Sequence, residues 1–282
     1  MSLVSAAEAE LGADEFRAVA AILHDEARIA LSEAKRTLVR SRLGRRLRAR
    51  SLGSFAEYIR LVRSDVEERA EMVIALTTNH THFFREQHHL DHLVADGLPA
   101  LREAAERRPV RLWSAGCSSG EEVYSIAMAL AGTSRTTGRW LLDRDVKLLA
   151  TDISLPMVAA VTAGRYPTGS TRAVPRALAQ AWLKPDGDNV VVAAELRSAV
   201  HARVLNLFGP WPIKRQFDVI FCRNVMIYFD EPAKRELEAR LVDQLHPGGL
   251  LYIGHSERLG GSADQAMESL GQTIYRKKGQ LP

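Results

Sequence analysis

The chain has 282 residues, 46% of them hydrophobic and 26% charged, with a formal net charge of +4 and a pI near 9.2. This is an ordinary globular balance that can bury a real core, and two cysteines, Cys117 and Cys222, exclude a disulfide framework. No run of eighteen apolar residues occurs, and residues 1–10 have neither a basic n-region nor an apolar h-region. The expectation is therefore a cytoplasmic protein without membrane insertion, with nucleic acid, anionic lipid and acidic protein all open as partners of the surplus positive charge.

Residues 14–78 are helical in pattern throughout, with no strand required. Phe16, Val19 and Leu23 recur at helical spacing after Asp14, the candidate cap. Ser54 with Glu57 opens a helix carrying Phe55, Tyr58, Ile59 and Val62, and Asp65 with Glu68 opens one carrying Met72, Val73 and Leu76. Between them, residues 35–50 hold eight Lys or Arg among sixteen, while Val39, Leu43 and Leu47 recur every four positions. The apolar stripe packs and the basic faces stay outside, either merely solvated or docked on an acidic macromolecule.

Residues 77–92, Thr-Thr-Asn-His-Thr-His-Phe-Phe-Arg-Glu-Gln-His-His-Leu-Asp-His, hold five of the nine histidines. His88 and His92 share a helix face, but no cysteine lies nearby and no His-Glu-x-x-His occurs, so no metal site is expected. The stretch reads as a polar linker entering a helix, in which Asn79, Thr81 and Arg85 can turn an amide, a hydroxyl and a guanidinium toward one ligand.

From residue 110 strands and helices alternate, the signature of a mostly parallel, doubly wound α/β sheet. Residues 110–115 make a buried strand, Gly116 and Gly120 bracket the following turn, and Ser119 with Glu122 is a capping-box pattern for a helix over 122–131. A second strand, 146–153, ends in Asp152, and Ser154 caps a helix with Pro156 in its first turn. Residues 165–201, with Pro167, Gly169, Pro175, Pro185, Gly187 and the run Val190 to Val192, read as an inserted subdomain of a short helix and a hairpin. Residues 217–222 form a further strand and 231–245 a helix with Leu237, Leu241 and Leu245 at i+4. A strand over 250–253 follows a turn at Gly248 and Gly249, and 273–276 can add an antiparallel strand at or near an edge.

Ligands of such sheets sit at the carboxyl ends of the strands, and four of those ends are polar here: Gly116 to Glu122, Asp152, Asn206 with Leu207, and Arg223 with Asn224. The first turn is Gly-x-x-x-Gly rather than Gly-x-Gly-x-x-Gly, with no Gly-Lys-Ser/Thr, so neither a nicotinamide dinucleotide nor a P-loop nucleotide fits. Glu121 and Glu122 would repel a pyrophosphate but tolerate a neutral nucleoside or a cation. That points to S-adenosylmethionine, with Asp152 accepting the ribose hydroxyls. At single positions alternatives stay open: Glu122 is either the capping acid or a ligand, with Glu121 as the other candidate. Arg223 can pair with Asp218, and Tyr228 can be a core aromatic.

Five blocks in order resemble the CheR-type chemotaxis receptor methyltransferases across nearly the whole chain. They are Thr-Thr-Asn-His-Thr-His-Phe-Phe-Arg-Glu (77–86), Trp-Ser-Ala-Gly-Cys-Ser-Ser-Gly-Glu-Glu-x-Tyr-Ser (113–125), Ala-Thr-Asp-Ile (150–153), Phe-Cys-Arg-Asn-Val-Met-Ile-Tyr-Phe (221–229) and Gly-His-Ser-Glu (254–257). The resemblance implies a class I S-adenosylmethionine-dependent methyltransferase fold with an inserted small β-subdomain at about 165–201, in a domain over 77–282 preceded by an all-α domain over 1–76. It implies methyl transfer to glutamate carboxylates in the cytoplasmic region of chemoreceptors, with S-adenosylhomocysteine as product. By motif, Asn79, Thr81, Arg85, Gly116, Glu122, Asp152, Asn206, Leu207, Arg223 and Asn224 are implied cofactor contacts, with Arg85 and Tyr228 nearest the reaction.

Cys117 and Cys222 are taken as small buried fillers. The basic helix 35–50 gains a reason, since methyl-accepting helices are rich in glutamate, and some family members tether a receptor's C-terminal peptide on the insert hairpin by strand addition. Two rivals stand beside this reading. A nucleic-acid methyltransferase would need an Asp/Asn-Pro-Pro-aromatic tetrad where residues 223–226 read Arg-Asn-Val-Met, or a Pro-Cys nucleophile that is absent. A non-catalytic S-adenosylmethionine-binding adaptor would keep Asp152 without needing Arg85 or Tyr228.

Overall fold

The computed structural model describes residues 10–279; the reading of the first nine residues as lacking a signal lies outside them, as do the last three. The chain divides into two compact units, one comprising the described residues up to Thr78 with Tyr228–Ala233, the other Asn79–Ile227 with the described residues from Lys234 onward. Among the described residues no helix is long and apolar enough to cross a membrane.

The first unit is built on α1 (Ala13–Ala27), α2 (Arg36–Ala49), α3 (Phe55–Ser64) and α4 (Val66–Leu76). The apolar stripes face one another: Phe16, Val19, Leu23, Val39, Leu43, Leu47, Tyr58, Val62 and Met72 are all buried. At roughly 1.5–3 kcal/mol for each large side chain removed from water, this packing outweighs the modest helix propensity of the β-branched residues. Ser54 and Glu57 close the capping box expected of them, whereas the N-cap of α1 is Gly12, with Asp14 already inside its first turn. Asp65 caps α4 through the Glu68 N–H, but the Glu68 side chain does not turn back to complete a box.

Glu68 instead goes inward, and this corrects the picture of α2 as a helix whose basic faces all point outside. Arg46 donates to both Glu68 carboxylate oxygens at 2.9 and 2.7 Å, Arg50 donates at 2.5 Å, and the Tyr58 hydroxyl at 2.9 Å. Arg42 caps the end of α4 by donating to the Leu76 and Thr77 carbonyls. Half of the basic run is thus engaged in structure or partly buried, while Arg40, Arg45 and Arg48 are exposed.

The second unit begins with α5 (Gln87–His92) and α6 (Leu98–Arg107), then β1 (Val110–Ala115), α7 (Glu121–Ala131), α8 (Arg135–Leu142), β2 (Val146–Asp152) and α9 (Leu155–Ala163). Next come β3 (Arg165–Pro167), α10 (Arg176–Trp182), β4 (Leu183–Asp186), β5 (Asn189–Val192) and α11 (Ala194–Ala199). It closes with β6 (Val200–Val204), β7 (Phe217–Cys222), α12 (Glu231–Asp243, whose first turn belongs to the helical unit), β8 (Leu245–Ile253), α13 (Gly261–Ala266), β9 (Met267–Gly271) and β10 (Ile274–Lys277).

Seven strands form one sheet in the order β6-β2-β1-β7-β8-β10-β9, parallel from β6 to β8 and antiparallel through β10 and β9. The chain winds outward from β1 through β2 to β6 and then returns to the other side of β1 at β7. The reversal between β1 and β7 is the switch point where a doubly wound sheet opens a crevice. The insert is a three-stranded antiparallel sheet, β3-β5-β4: the expected hairpin is joined by β3, and α11 follows it. Gly248 and Gly249 lie inside β8 as a register irregularity rather than in a turn before it, and the final strand lies one place in from the edge, flanked by β9.

Candidate functional site

The turn after β1 is shaped by backbone that needs glycine. Gly116 has φ +75 and Gly120 φ +101; a Cβ on Gly116 would meet Val225 Cγ2 at 2.5 Å, and one on Gly120 would meet the Tyr166 hydroxyl at 2.7 Å. The Gly116 and Cys117 N–H groups donate to the Thr151 carbonyl, tying the turn to the end of β2. Gly120 caps α7, which begins at Glu121, so the Ser119–Glu122 capping box does not form. A left-handed glycine leaves the Ser119 hydroxyl to donate to Glu121 Oε2 at 2.6 Å and frees Glu122 for other partners.

Asp152, at the carboxyl end of β2, is buried. Its two oxygens accept the Ser118 and Ser154 N–H groups, each at 2.9 Å, while the Ser154 hydroxyl, expected to cap α9, makes no cap hydrogen bond and has no partner. Burial raises the Asp152 carboxyl above its ordinary pKa, against the pull of the Ser154, Ser118 and Ile153 N–H groups. The Ser118 hydroxyl donates to the Asn79 carbonyl at 3.0 Å, and the Asp152 carbonyl accepts the Leu205 N–H at 2.9 Å. Asn79, Gly116, Asp152 and the segment holding Asn206 and Leu207 are thereby joined at adjacent strand ends. Asn206 Oδ1 accepts the Phe208 N–H, Leu207 is buried, and Thr81 is half-buried.

A second group forms beside β7. Arg223 is buried; its Nε donates to Glu122 Oε2 at 2.8 Å and its Nη1 to the Arg85 carbonyl at 2.6 Å. Glu122 Oε1 accepts the Ser114 hydroxyl at 2.7 Å, so this acid crosslinks β1 to Arg223. The Asp218 alternative is ruled out, because Asp218 is held by Arg108 at 2.6 Å and the Arg111 N–H at 2.8 Å. Arg85 sits between two residues in the left-handed region, Phe84 at φ +56 and Glu86 at φ +53, and its guanidinium donates to the His80 carbonyl. Such strained backbone persists only where surrounding contacts over-determine it; here the Phe84 N–H is fixed by the Ser125 hydroxyl.

Glu86 and Glu257 complete this group, and residue-by-residue reading of the sequence passed over both. Each ends a motif block, and an acid closing such a block was the available signal. Glu86 Oε1 accepts from Asn224 Nδ2 and from the backbone and ring of His255. Burial opposes its ionisation, but His255 and Arg223 outweigh that and hold its pKa low. Glu257 Oε2 accepts the Gly254 and Asn224 N–H groups at 2.5 and 3.2 Å, and burial pushes this carboxyl up. Three acceptor atoms here, Glu86 Oε2, Asn224 Oδ1 and Glu257 Oε1, are buried without a hydrogen bond, Glu86 Oε2 lying 3.3 Å from His89 Nδ1 and 3.6 Å from Arg223 Nη1. Buried acceptors are ordinarily satisfied, so three together mark a place shaped for donors from elsewhere.

The histidines of the linker scatter. His89 is buried, with Nε2 on the Gln272 carbonyl and Thr273 hydroxyl, and burial lowers its pKa to about 4; His92 Nδ1 meets the Tyr252 hydroxyl. Cys117 and Cys222 are buried, and burial raises both thiols well above their ordinary pKa, which makes them inert. Tyr228 belongs to the helical unit, where its carbonyl accepts the Ala30 N–H and Lys35 Nζ lies 5.9 Å from its ring centroid.

Comparison with known proteins agrees with these features. Residues 14–77 match the family model described as CheR methyltransferase, all-alpha domain, and residues 79–276 the one described as CheR methyltransferase, SAM binding domain. The chain is 41% identical over 266 residues to a probable chemotaxis protein methyltransferase of Rhizobium etli, covering 90% of this chain and 96% of that one. It is 41% identical over 267 residues to chemotaxis protein methyltransferase 2 of Pseudomonas aeruginosa, covering 93% and 92%. It is 38% identical over 270 residues to the chemotaxis protein methyltransferase of Escherichia coli, covering 92% and 89%.

Proposed function

The chain belongs to the CheR methyltransferase family, and from that premise we propose that it transfers a methyl group from S-adenosylmethionine to glutamate side chains in the cytoplasmic region of chemoreceptors. The observation that carries the cofactor reading is the set of buried acceptors without a hydrogen bond beside Arg223, past the end of β7, together with the Asp152 carboxylate at the end of β2, on the other side of β1. The donor set suits the ligand. Asp152 keeps lone pairs for ribose hydroxyls, the glycines leave room for close backbone approach, and the acidic neighbours of Arg223 favour a cationic group over a pyrophosphate.

Bound S-adenosylmethionine supplies a sulfonium methyl, which a glutamate carboxylate takes up as the new O–C bond forms, the C–S bond breaks and the electron pair returns to sulfur. A carboxylate with a reference pKa near 4.3 is already ionised at neutral pH, so this chain's residues need not act as a general base. Opposite charges disappear in the reaction, and a dry site favours that over separated solvated ions. The work left to Asn79, Thr81, Asp152, Asn206, Leu207, Arg223 and Asn224 is to hold the donor. Arg85 and Tyr228 are the proposed positioning groups, and alignment is the main source of acceleration. The proposed address is the cytoplasm, and the exposed Arg40, Arg45 and Arg48 of α2 are the proposed receptor-facing cations.

Labelled methyl transfer tests the reading. The chain should label a receptor cytoplasmic fragment with base-labile ester and leave DNA unlabelled, and Tyr228→Phe should lower turnover about tenfold with cofactor affinity kept. Label on DNA, base-stable label, or no transfer to any receptor fragment would contradict it. Unchanged turnover in Tyr228→Phe would remove that residue from the site.

A further inference from the structure

Parallel sheets are almost always covered on both faces, because their crossover connections lay helices there. Here one crossover lacks its helix: from β6 to β7 the chain runs through residues 205–216 without helical structure. The consequence is written in the alternation of β1, β2 and β6. One face carries Val110, Leu112, Val146, Leu148, Ala150 and Ala202, all in the core. The register pairs Arg111 with Lys147, Leu149 with His201 and Thr151 with Arg203 on the other face.

Those residues line a groove of about 480 Å³ between the sheet and the 205–216 segment. Six of its lining residues are basic, Arg111, Lys147, His201, Arg203, Lys214 and Arg215, and none is acidic. Arg111 pairs with Asp145 at 2.8 Å; among the described residues Lys147, Arg203, Lys214 and Arg215 have no ion-pair partner. His201 is held below its ordinary pKa by burial and by the neighbouring Lys147, Arg203 and Arg111 charges. The floor is apolar, formed by Leu149, Leu205 and Ile213, with Val204 51% exposed at the rim. A sheet that gathers like charges over an apolar floor gives up stability unless something anionic covers it.

We propose that this groove docks an acidic, amphipathic segment of the chemoreceptor outside the methylated glutamates, its carboxylates meeting Lys147, Arg203, Lys214 and Arg215 and its apolar side lying on Leu149 and Ile213. The inference rests on the receptor-methylating function proposed above. Nucleic acid is the poorer fit, because single-strand binding needs exposed aromatic platforms, whereas Trp113 and Phe217 on this face are buried and the half-buried Trp211 is packed edge-on against Trp113.

The test uses the full-length protein and a fluorescein-labelled receptor cytoplasmic fragment. Lys147→Glu with Arg203→Glu should weaken fragment binding about tenfold in anisotropy and raise the KM for the fragment equally, with kcat and S-adenosylmethionine affinity unchanged. The neutral pair Lys147→Gln with Arg203→Gln should weaken binding about threefold and guards against misfolding of the reversed pair. Fragment affinity unchanged in both pairs overturns the inference, as does a loss confined to a DNA oligonucleotide probe. A wild-type protein that binds the fragment through these residues but transfers no methyl would sink the proposed function and leave the groove standing.

Discussion

The two units each bury a carboxylate among polar partners, and they do it in opposite ways. Glu68 in the helical unit is closed: two arginines and a tyrosine hydroxyl donate to it, and those partners hold its pKa down in spite of burial. The group around Arg223 in the other unit is more open: Asn224 Oδ1 and Glu257 Oε1 are buried without a hydrogen bond, and Glu86 Oε2 meets His89 and Arg223 only at 3.3 and 3.6 Å. A charge buried for structure has every valence filled, because an empty one costs stability and returns nothing. A charge buried for binding keeps a valence in reserve for the ligand.

A matched pair of substitutions can break this contrast. Glu68→Gln should cost roughly 3–5 kcal/mol of unfolding free energy in urea titration, since it leaves Arg46 and Arg50 facing an amide donor in a closed site. Cofactor affinity of the folded fraction should not change. Glu257→Gln should cost less, about 1–3 kcal/mol, because the amide oxygen can still accept from Gly254 and Asn224 while the new N–H₂ is buried without an acceptor. Equal losses for the two variants would show that both clusters are structural and would remove the argument for an open site.

The contrast also explains what sequence could reveal. Alternating strands and helices, the stripes of α1 to α4 and the polar strand ends were legible because periodicity and strand-end chemistry are local properties. The misreadings were of side-chain destination. Ser119 and Glu122 have capping-box spacing, but a left-handed Gly120 caps α7 and sends Glu122 to Ser114 and Arg223. Arg46 and Arg50 look like solvated charges on a basic helix until Glu68, some twenty residues on, is folded beneath them. Asp218 is near Arg223 in sequence, but it lies at the start of β7 and Arg223 just past its end, and Arg108 takes the acid instead. The uncovered basic face of β2 and β6 is not legible in the sequence, since nothing local announces that a crossover will lack its helix.

The most direct test of the open site is calorimetric titration of S-adenosylmethionine into the full chain. One binding site is expected in the unaltered protein. Asp152→Ala should show no measurable heat of binding. Asp152→Asn, which keeps an acceptor for the Ser118 and Ser154 N–H groups and so protects the fold, should weaken affinity about tenfold or more. Near-normal affinity in both variants, with unfolding transitions unchanged, would contradict the assignment of this pocket.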